Sequence, residues 1–80
     1  MEVSMINGQK VNNAKDFGQA LRRRRKEKHY TQQDIAEAAC VSTSFISDLE
    51  NGKPTCELEK AIYIANMLGI DTILHPRGEN

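Results

Sequence analysis

Residues 31–52 read TQQDIAEAACVSTSFISDLENG, and this stretch decides the fold. Thr31 is placed to cap a helix, with Asp34 three positions on to reach back. That is a capping box with Asp in place of the usual Glu or Gln. Ile35, Ala36 and Ala39 follow at helical spacing, so a helix opens at Thr31 with a narrow apolar face. Small side chains there let another helix approach closely. Cys40-Val41 makes a tight turn. Ser42 is a good N-cap for a second helix running to about Glu50, with Ile46 and Leu49 inward. Thr43, Ser44, Ser47, Asp48 and Asn51 then fall on its outer side. Asn51-Gly52 stops this helix, because glycine tolerates the left-handed geometry of a C-terminal cap. Pro54 blocks any continuation.

Upstream, a helix is expected from about Ala14 to Lys28. Asn13 is its candidate N-cap and Asp16 suits the positive end of the helix dipole. Phe17, Leu21 and the stem of Arg24 or Arg25 follow helical spacing, and His29 stands where the chain must turn. Downstream, a fourth helix is expected from Thr55 or Cys56 to Leu68, with Gly69 as its stop. Its apolar positions, Leu58, Ala61, Ile62, Ile64, Ala65, Met67 and Leu68, span a wider arc than a lone surface helix needs. The stripe Leu58-Ala61-Ile62-Ala65-Leu68 suffices for a core. Ile64 and Met67 are then surplus and are expected to meet a second subunit.

The two ends read differently. Val3 to Val11 alternate weakly, and Asn7-Gly8 is a hairpin signal, so an N-terminal strand or arm is expected over residues 1–13. Ile70-Asp71-Thr72-Ile73-Leu74 is rich in β-branched residues and reads as a strand ended by Pro76-Arg77-Gly78. An isolated strand is unstable, so it must pair with the N-terminal strand or with its counterpart in another chain. The domain division is therefore an N-terminal strand or arm at 1–13, a helical domain at 14–69, and a C-terminal strand and tail at 70–80. The fold class is mainly α: four to five helices with a short C-terminal strand.

Composition narrows the classes. At 80 residues the chain allows one small domain, which is marginal alone and gains from oligomerisation. No apolar run approaches the roughly 18–20 residues that span a membrane. The opening MEVSMINGQK lacks the basic and apolar regions of a signal peptide, so a cytoplasmic location is expected. Cys40 and Cys56 form no CxxC pair, and His29 and His75 complete no zinc spacing. They are read as reduced thiols acting as small apolar fillers, and no metal or cofactor is expected. Formal net charge is zero, yet Arg22, Arg23, Arg24, Arg25, Lys26 and Lys28 crowd one segment against Glu27 alone. A neutral total with a basic block describes a molecule with one basic face. No nucleophile–base pair, metal cluster or phosphate loop emerges, so an enzyme is not expected.

Two helices around a three- to four-residue turn, the second polar outside, can set that second helix in a DNA major groove while the first crosses the backbone. Ala36 must be small where the helices cross, and Val41 and Ile46 must be apolar to lock the angle. TQQDIAEAACVSTSFISDLENGKPT resembles the lambda-repressor-like, or XRE-type, helix-turn-helix family. DFGQALRRRRKEKHYTQ and PTCELEKAIYIANMLGI resemble its first and fourth helices. AKDFGQAL, the NGKPT junction and IDTIL after LGI most resemble the HipB-type antitoxin branch, in which a C-terminal strand pairs with its twin to build a dimer lid, the role this resemblance implies for residues 70–80.

The resemblance implies roles. Gln32 takes the place of a glutamine that contacts phosphate, and Thr43, Ser44 and Ser47, with Asp48 near them, the places that read bases. Asn51 and Lys53 resemble backbone-contacting positions. Arg22 and Arg23 are further backbone candidates beside the basic helix end. Arg25 and Glu50 match an ion pair tying the first helix to the third. Dimer contacts are assigned to Ile64, Met67, Ile70, Thr72, Ile73 and Leu74. The implied function is a homodimeric repressor reading a palindrome in double-stranded DNA. The alternative is an antitoxin that chiefly binds a protein toxin, such as a HipA-type kinase, and represses its own operon.

Two departures from the family bear on mechanism. The family often has Gly where this chain has His29 and Cys40, so those turns are expected to be strained or differently shaped. The third helix also lacks the long Arg, Gln or Asn side chains that make bidentate base contacts. Asp48 can accept from cytosine N4 but repels nearby phosphate. Modest direct readout is expected, with backbone contacts and DNA shape carrying much of the specificity.

Overall fold

The computed structural model describes residues 8–54 and 57–77. Four helices run in order: α1 (Ala14–Glu27), α2 (Gln32–Ala39), α3 (Thr43–Glu50) and α4 (Leu58–Met67). The expected caps form. Asn13 accepts from the Asp16 N–H, Thr31 and Asp34 make the reciprocal capping box, and the Ser42 hydroxyl accepts from the Phe45 N–H. Each satisfies a backbone donor that the first turn would otherwise leave orphaned.

All four helices end in the same way. His29 and Tyr30 donate back to Lys26 and Arg25. Cys40 and Val41 donate to Glu37 and Ala36. Gly52 and Lys53 donate to Leu49 and Asp48, and Gly69 and Ile70 to Asn66 and Ala65. These are Schellman pairs, which require a left-handed residue after the helix. Gly52 and Gly69 take that conformation without a Cβ penalty, but His29 (φ 62°) and Cys40 (φ 59°) also hold it. Both turns are therefore strained, as their departure from glycine implied. Cys40 is exposed and so is not the apolar filler its composition indicated. Cys56 lies outside the described residues.

The core consists of Leu21, Ile35, Ala36, Ile46, Leu49, Ala61, Ile64, Ala65 and Leu68, with Phe17, Ala39, Val41, Phe45 and Ile70 packed around it. Ala36 is buried at the α2 crossing, as its size demands. α1 and α3 approach even more closely. A Cβ on Gly18 would strike the carbonyl oxygens of Leu49 and Glu50, so the end of α3 lies directly on the α1 backbone.

Several expectations are corrected. Ile64, assigned to a dimer contact, is only 1% exposed, whereas Leu58, assigned to the core, is 72% exposed. The inward stripe of α4 is Ala61-Ile64-Ala65-Leu68. It shares Ala61, Ala65 and Leu68 with the expected stripe and is rotated about them. α4 also begins at Leu58 rather than at Thr55 or Cys56, which lie outside the described residues. Ile70 packs partly on the core rather than standing free for a partner. Finally, no strand forms among the described residues. Residues 70–77 are irregular, and Gly8 to Val11 are not a strand; a strand needs a neighbour to pair with, and none forms among the described residues. The rest of the Val3–Val11 segment, including Asn7, lies outside the described residues.

Candidate nucleic-acid interface

The run Arg22-Arg23-Arg24-Arg25 illustrates how helical geometry divides one charge block. Successive residues turn about 100° around the axis, so the four side chains leave α1 in four directions. Arg24 donates its Nε–H to the Leu68 carbonyl at 2.9 Å, closing the end of α4. Arg23 reaches Gln9 Oε1 at 2.9 Å. Arg22 is exposed. Arg25 turns inward.

Arg25 and Glu50 form the expected ion pair, bidentate and buried. Nε donates to Glu50 Oε2 at 2.6 Å and Nη2 to Oε1 at 3.1 Å. The residues are 8% and 6% exposed. The third Arg25 nitrogen, Nη1, donates to the Tyr30 carbonyl at 2.7 Å. Hydrogen bonding to Glu50 raises the Arg25 pKa further above its ordinary value, outweighing the desolvation that lowers it. One guanidinium thus clamps α1, the turn before α2 and the last residue of α3.

Gln32, the first residue of α2, joins this clamp. Its Nε2 donates to Glu50 Oε1 at 3.0 Å. Nothing in the spacing of the residues foretells this bond, because Gln32 and Glu50 lie 18 positions apart. The amide is half-buried, and its orientation is fixed rather than free. A carboxamide nitrogen has two hydrogens, so one remains for an outside acceptor while the other is held by Glu50.

On α3, Thr43 and Ser44 are exposed and Ser47 and Asp48 are half-buried, forming the outward polar face. Asn51 Nδ2 lies 3.4 Å from Ser47 Oγ. Lys53 Nζ stands 3.6 Å from Asp48 Oδ2, a pairing that spacing alone did not reveal. It offsets the repulsion that a lone Asp48 would exert on a phosphate. Phe45 is half-buried against the core, with Lys60 over its ring at 5.9 Å. It packs rather than protrudes.

The N-terminus of α2 and the last residue of α3 are therefore held by one buried charge network, beside the polar face of α3 and the loop Asn51-Gly52-Lys53. Met67 is half-buried, and Thr72, Ile73 and Leu74 are exposed on the other side of the chain order. No group of His, Cys, Asp and Glu that could hold a metal occurs among the described residues. No described helix is long and apolar enough to cross a membrane.

The helix-turn-helix family profile matches residues 21–74. This chain belongs to the helix-turn-helix family. It is a DNA-binding transcriptional regulator of the XRE type. It is 38% identical over 64 residues to an uncharacterised HTH-type transcriptional regulator, y4mF, of Sinorhizobium fredii, covering 80% of this chain and 84% of that one. It is 33% identical over 57 residues to the ImmF control region 10 kDa protein of Bacillus phage phi105, covering 71% of this chain and 63% of that one. In fold it is similar to HipB in the HipB–O4 20mer complex, with TM-score 0.79 at 21% identity, over 89% of this chain and 100% of that one. HipB in the HipA–HipB–O2–O3 complex gives the same TM-score, identity and coverage.

Proposed function

We propose that this regulator is a cytoplasmic repressor that binds a palindromic operator as a homodimer. Gln32, Asn51, Lys53, Arg22 and Arg23 hold the DNA backbone, while Thr43, Ser44, Ser47 and Asp48 face the bases. The observation that carries this reading is the buried Arg25–Glu50–Gln32 network. It fixes the phosphate-facing end of α2 against the end of α3, so both reach a duplex as one rigid surface. Short hydroxyls on α3 supply modest base readout, and DNA shape supplies the rest. If docking follows the phage repressors, two half-sites lie about 34–36 Å apart on one face of the duplex. The domain division follows: strand or arm 1–13, reader 14–69, and a lid from residue 70 that pairs with its counterpart in a second chain.

The test is binding to a library of short duplexes at two salt concentrations, with Gln32→Ala and Ser44→Ala beside the parent. Tight binding that weakens steeply with salt and drops in both variants supports the reading. No binding above background at low salt defeats it. A sharp, long consensus would defeat the shape-readout part alone.

A second reading is favoured by one observation. HipB, which this fold resembles, is seen in a complex with HipA. On that reading the chain is an antitoxin whose partner is a toxin protein such as a HipA-type kinase, and operator binding serves autoregulation. Co-purification with a larger protein encoded beside it distinguishes the two.

A further inference from the structure

We propose that Lys15 is a DNA phosphate-binding residue, forming with Arg22 a row of cations on α1 that extends the backbone contact beyond the helix-turn-helix. The inference rests on the DNA-binding reading above and adds a contact that the motif residues do not supply.

Three observations place Lys15 there. The first is contact. A Cβ on Gly52 would lie 2.8 Å from Lys15 N and 3.0 Å from Lys15 Cβ. The start of α1 is thus packed on the middle residue of Asn51-Gly52-Lys53, and the Lys15 side chain leaves the helix beside that loop. The second is alignment. Gly18 abuts the carbonyls of Leu49 and Glu50, and Arg25 pairs with Glu50, so this flank of α1 lies along the end of α3. Arg22 is seven residues from Lys15, two turns on and about 10 Å along the same row. Both are exposed, and no described carboxylate lies within ion-pair distance of Lys15.

The third is an electrostatic conflict. Lys15 is the second residue of α1, at the positive end of the helix dipole, where a cation is disfavoured. The neighbouring residues obey the dipole: Asn13 caps and Asp16 is acidic. Folding gains nothing from a cation at Lys15. A polyanion docked against Asn51 and Lys53 does, because its phosphates would lie beside both the lysine and the helix end.

The experiment measures affinity for a mixed-sequence duplex across a salt series, comparing the parent, Lys15→Gln and Lys28→Gln. Lys28 removes the same charge but lies at the other end of α1, with its Cε against Gly69. We expect Lys15→Gln to lower the slope of log affinity against log salt by about 0.9 per protomer bound, with Lys28→Gln changing it little. The thermal midpoint of Lys15→Gln should be unchanged or raised, since a cation leaves the positive helix end. Acylation of lysines in the parent gives an independent readout: DNA should protect Lys15 and leave Lys28 reactive. Equal slopes in the two variants, or a Lys15 that stays reactive in the complex, overturn the proposal while leaving DNA binding standing. A parent that binds no duplex overturns both together.

Discussion

Gln32 donates a carboxamide N–H across 3.0 Å to the same Glu50 oxygen that Arg25 Nη2 approaches at 3.1 Å. The first residue of α2 and the last of α3 therefore share one buried carboxylate with the last turn of α1. A charge in that position is costly unless paired and fully hydrogen-bonded. Here one Glu50 oxygen accepts two donors and the other accepts one. The network sets the relative placement of the helices that would meet DNA.

Removing either partner should be severe. Glu50→Ala or Arg25→Ala leaves an uncompensated buried charge, and each should cost about 3–5 kcal/mol. Urea denaturation measures this. The double variant Arg25→Met with Glu50→Met should lose far less than the two single losses added. Because the Arg25 pKa is raised, its contribution is present at every pH below that value and is lost only as pH rises through it. No decline from Arg25 deprotonation should appear between pH 6 and about pH 10, a window far below the unperturbed arginine value.

Gly18 supplies a change of opposite sign from helix propensity. In an open helix, glycine to alanine stabilises by about 1 kcal/mol. At Gly18 the added methyl meets backbone carbonyls of α3, which cannot rotate away. Gly18→Ala should destabilise by about 1–3 kcal/mol, the usual range for overpacking, and should weaken the Arg25–Glu50 pairing next to it. A raised melting temperature would show that α1 and α3 separate more easily than their packing implies.

His29 and Cys40 should respond in the other direction. Each holds a left-handed backbone that costs an L-residue about 1–2 kcal/mol, and glycine recovers part of that after its extra unfolded-state entropy. His29→Gly and Cys40→Gly should each stabilise by up to about 1 kcal/mol. The sites are on different turns, so the two gains should nearly add, as denaturation midpoints of the single and double variants will test.

Local chemistry made most of the fold legible. Asn13, Thr31, Ser42, Gly52 and Gly69 act through bonds to residues a few positions away, so spacing alone located the helix ends they mark, while the start of α4, which has no side-chain cap bond, was misplaced. The rotation of α4 was hidden because Ala61, Ala65 and Leu68 serve either stripe. Choosing between Leu58 and Ile64 requires knowing where α1 and α2 stand. The arginine run was legible as charge but not as four separate tasks, since the acceptors of Arg24 and Arg25 lie far along the chain at Leu68 and Glu50. Gly18 carried an available signal: a glycine inside a helix costs stability and usually has a packing reason. Among the candidate site residues, the outward placement of Thr43 and Ser44 followed from period, whereas the tie between Lys53 and Asp48 needed the folded turn.

The exposed apolar residues yield the last prediction. Ile73 and Leu74 are 76% and 90% exposed, on a segment that pairs with no strand among the described residues. With Leu58 also in solvent, the monomer leaves apolar surface at both ends of α4 that a second copy would cover. Burial of two such side chains in each of two protomers contributes several kcal/mol, at about 1.5–3 kcal/mol per side chain, which is ample to hold a dimer together with strand pairing. Ile73→Lys with Leu74→Lys should therefore convert a dimer to a monomer in sedimentation equilibrium, with each chain's helical content retained. Operator affinity should fall with it, because two linked readers on one duplex bind at a high effective concentration. Met67→Glu tests the half-buried flank of the same helix. If Met67→Glu leaves the dimer intact while the Ile73 and Leu74 change dissolves it, the contact runs through the terminal segment alone. If neither change affects mass, the chain does not dimerise through this surface, and the palindromic reading loses its second half.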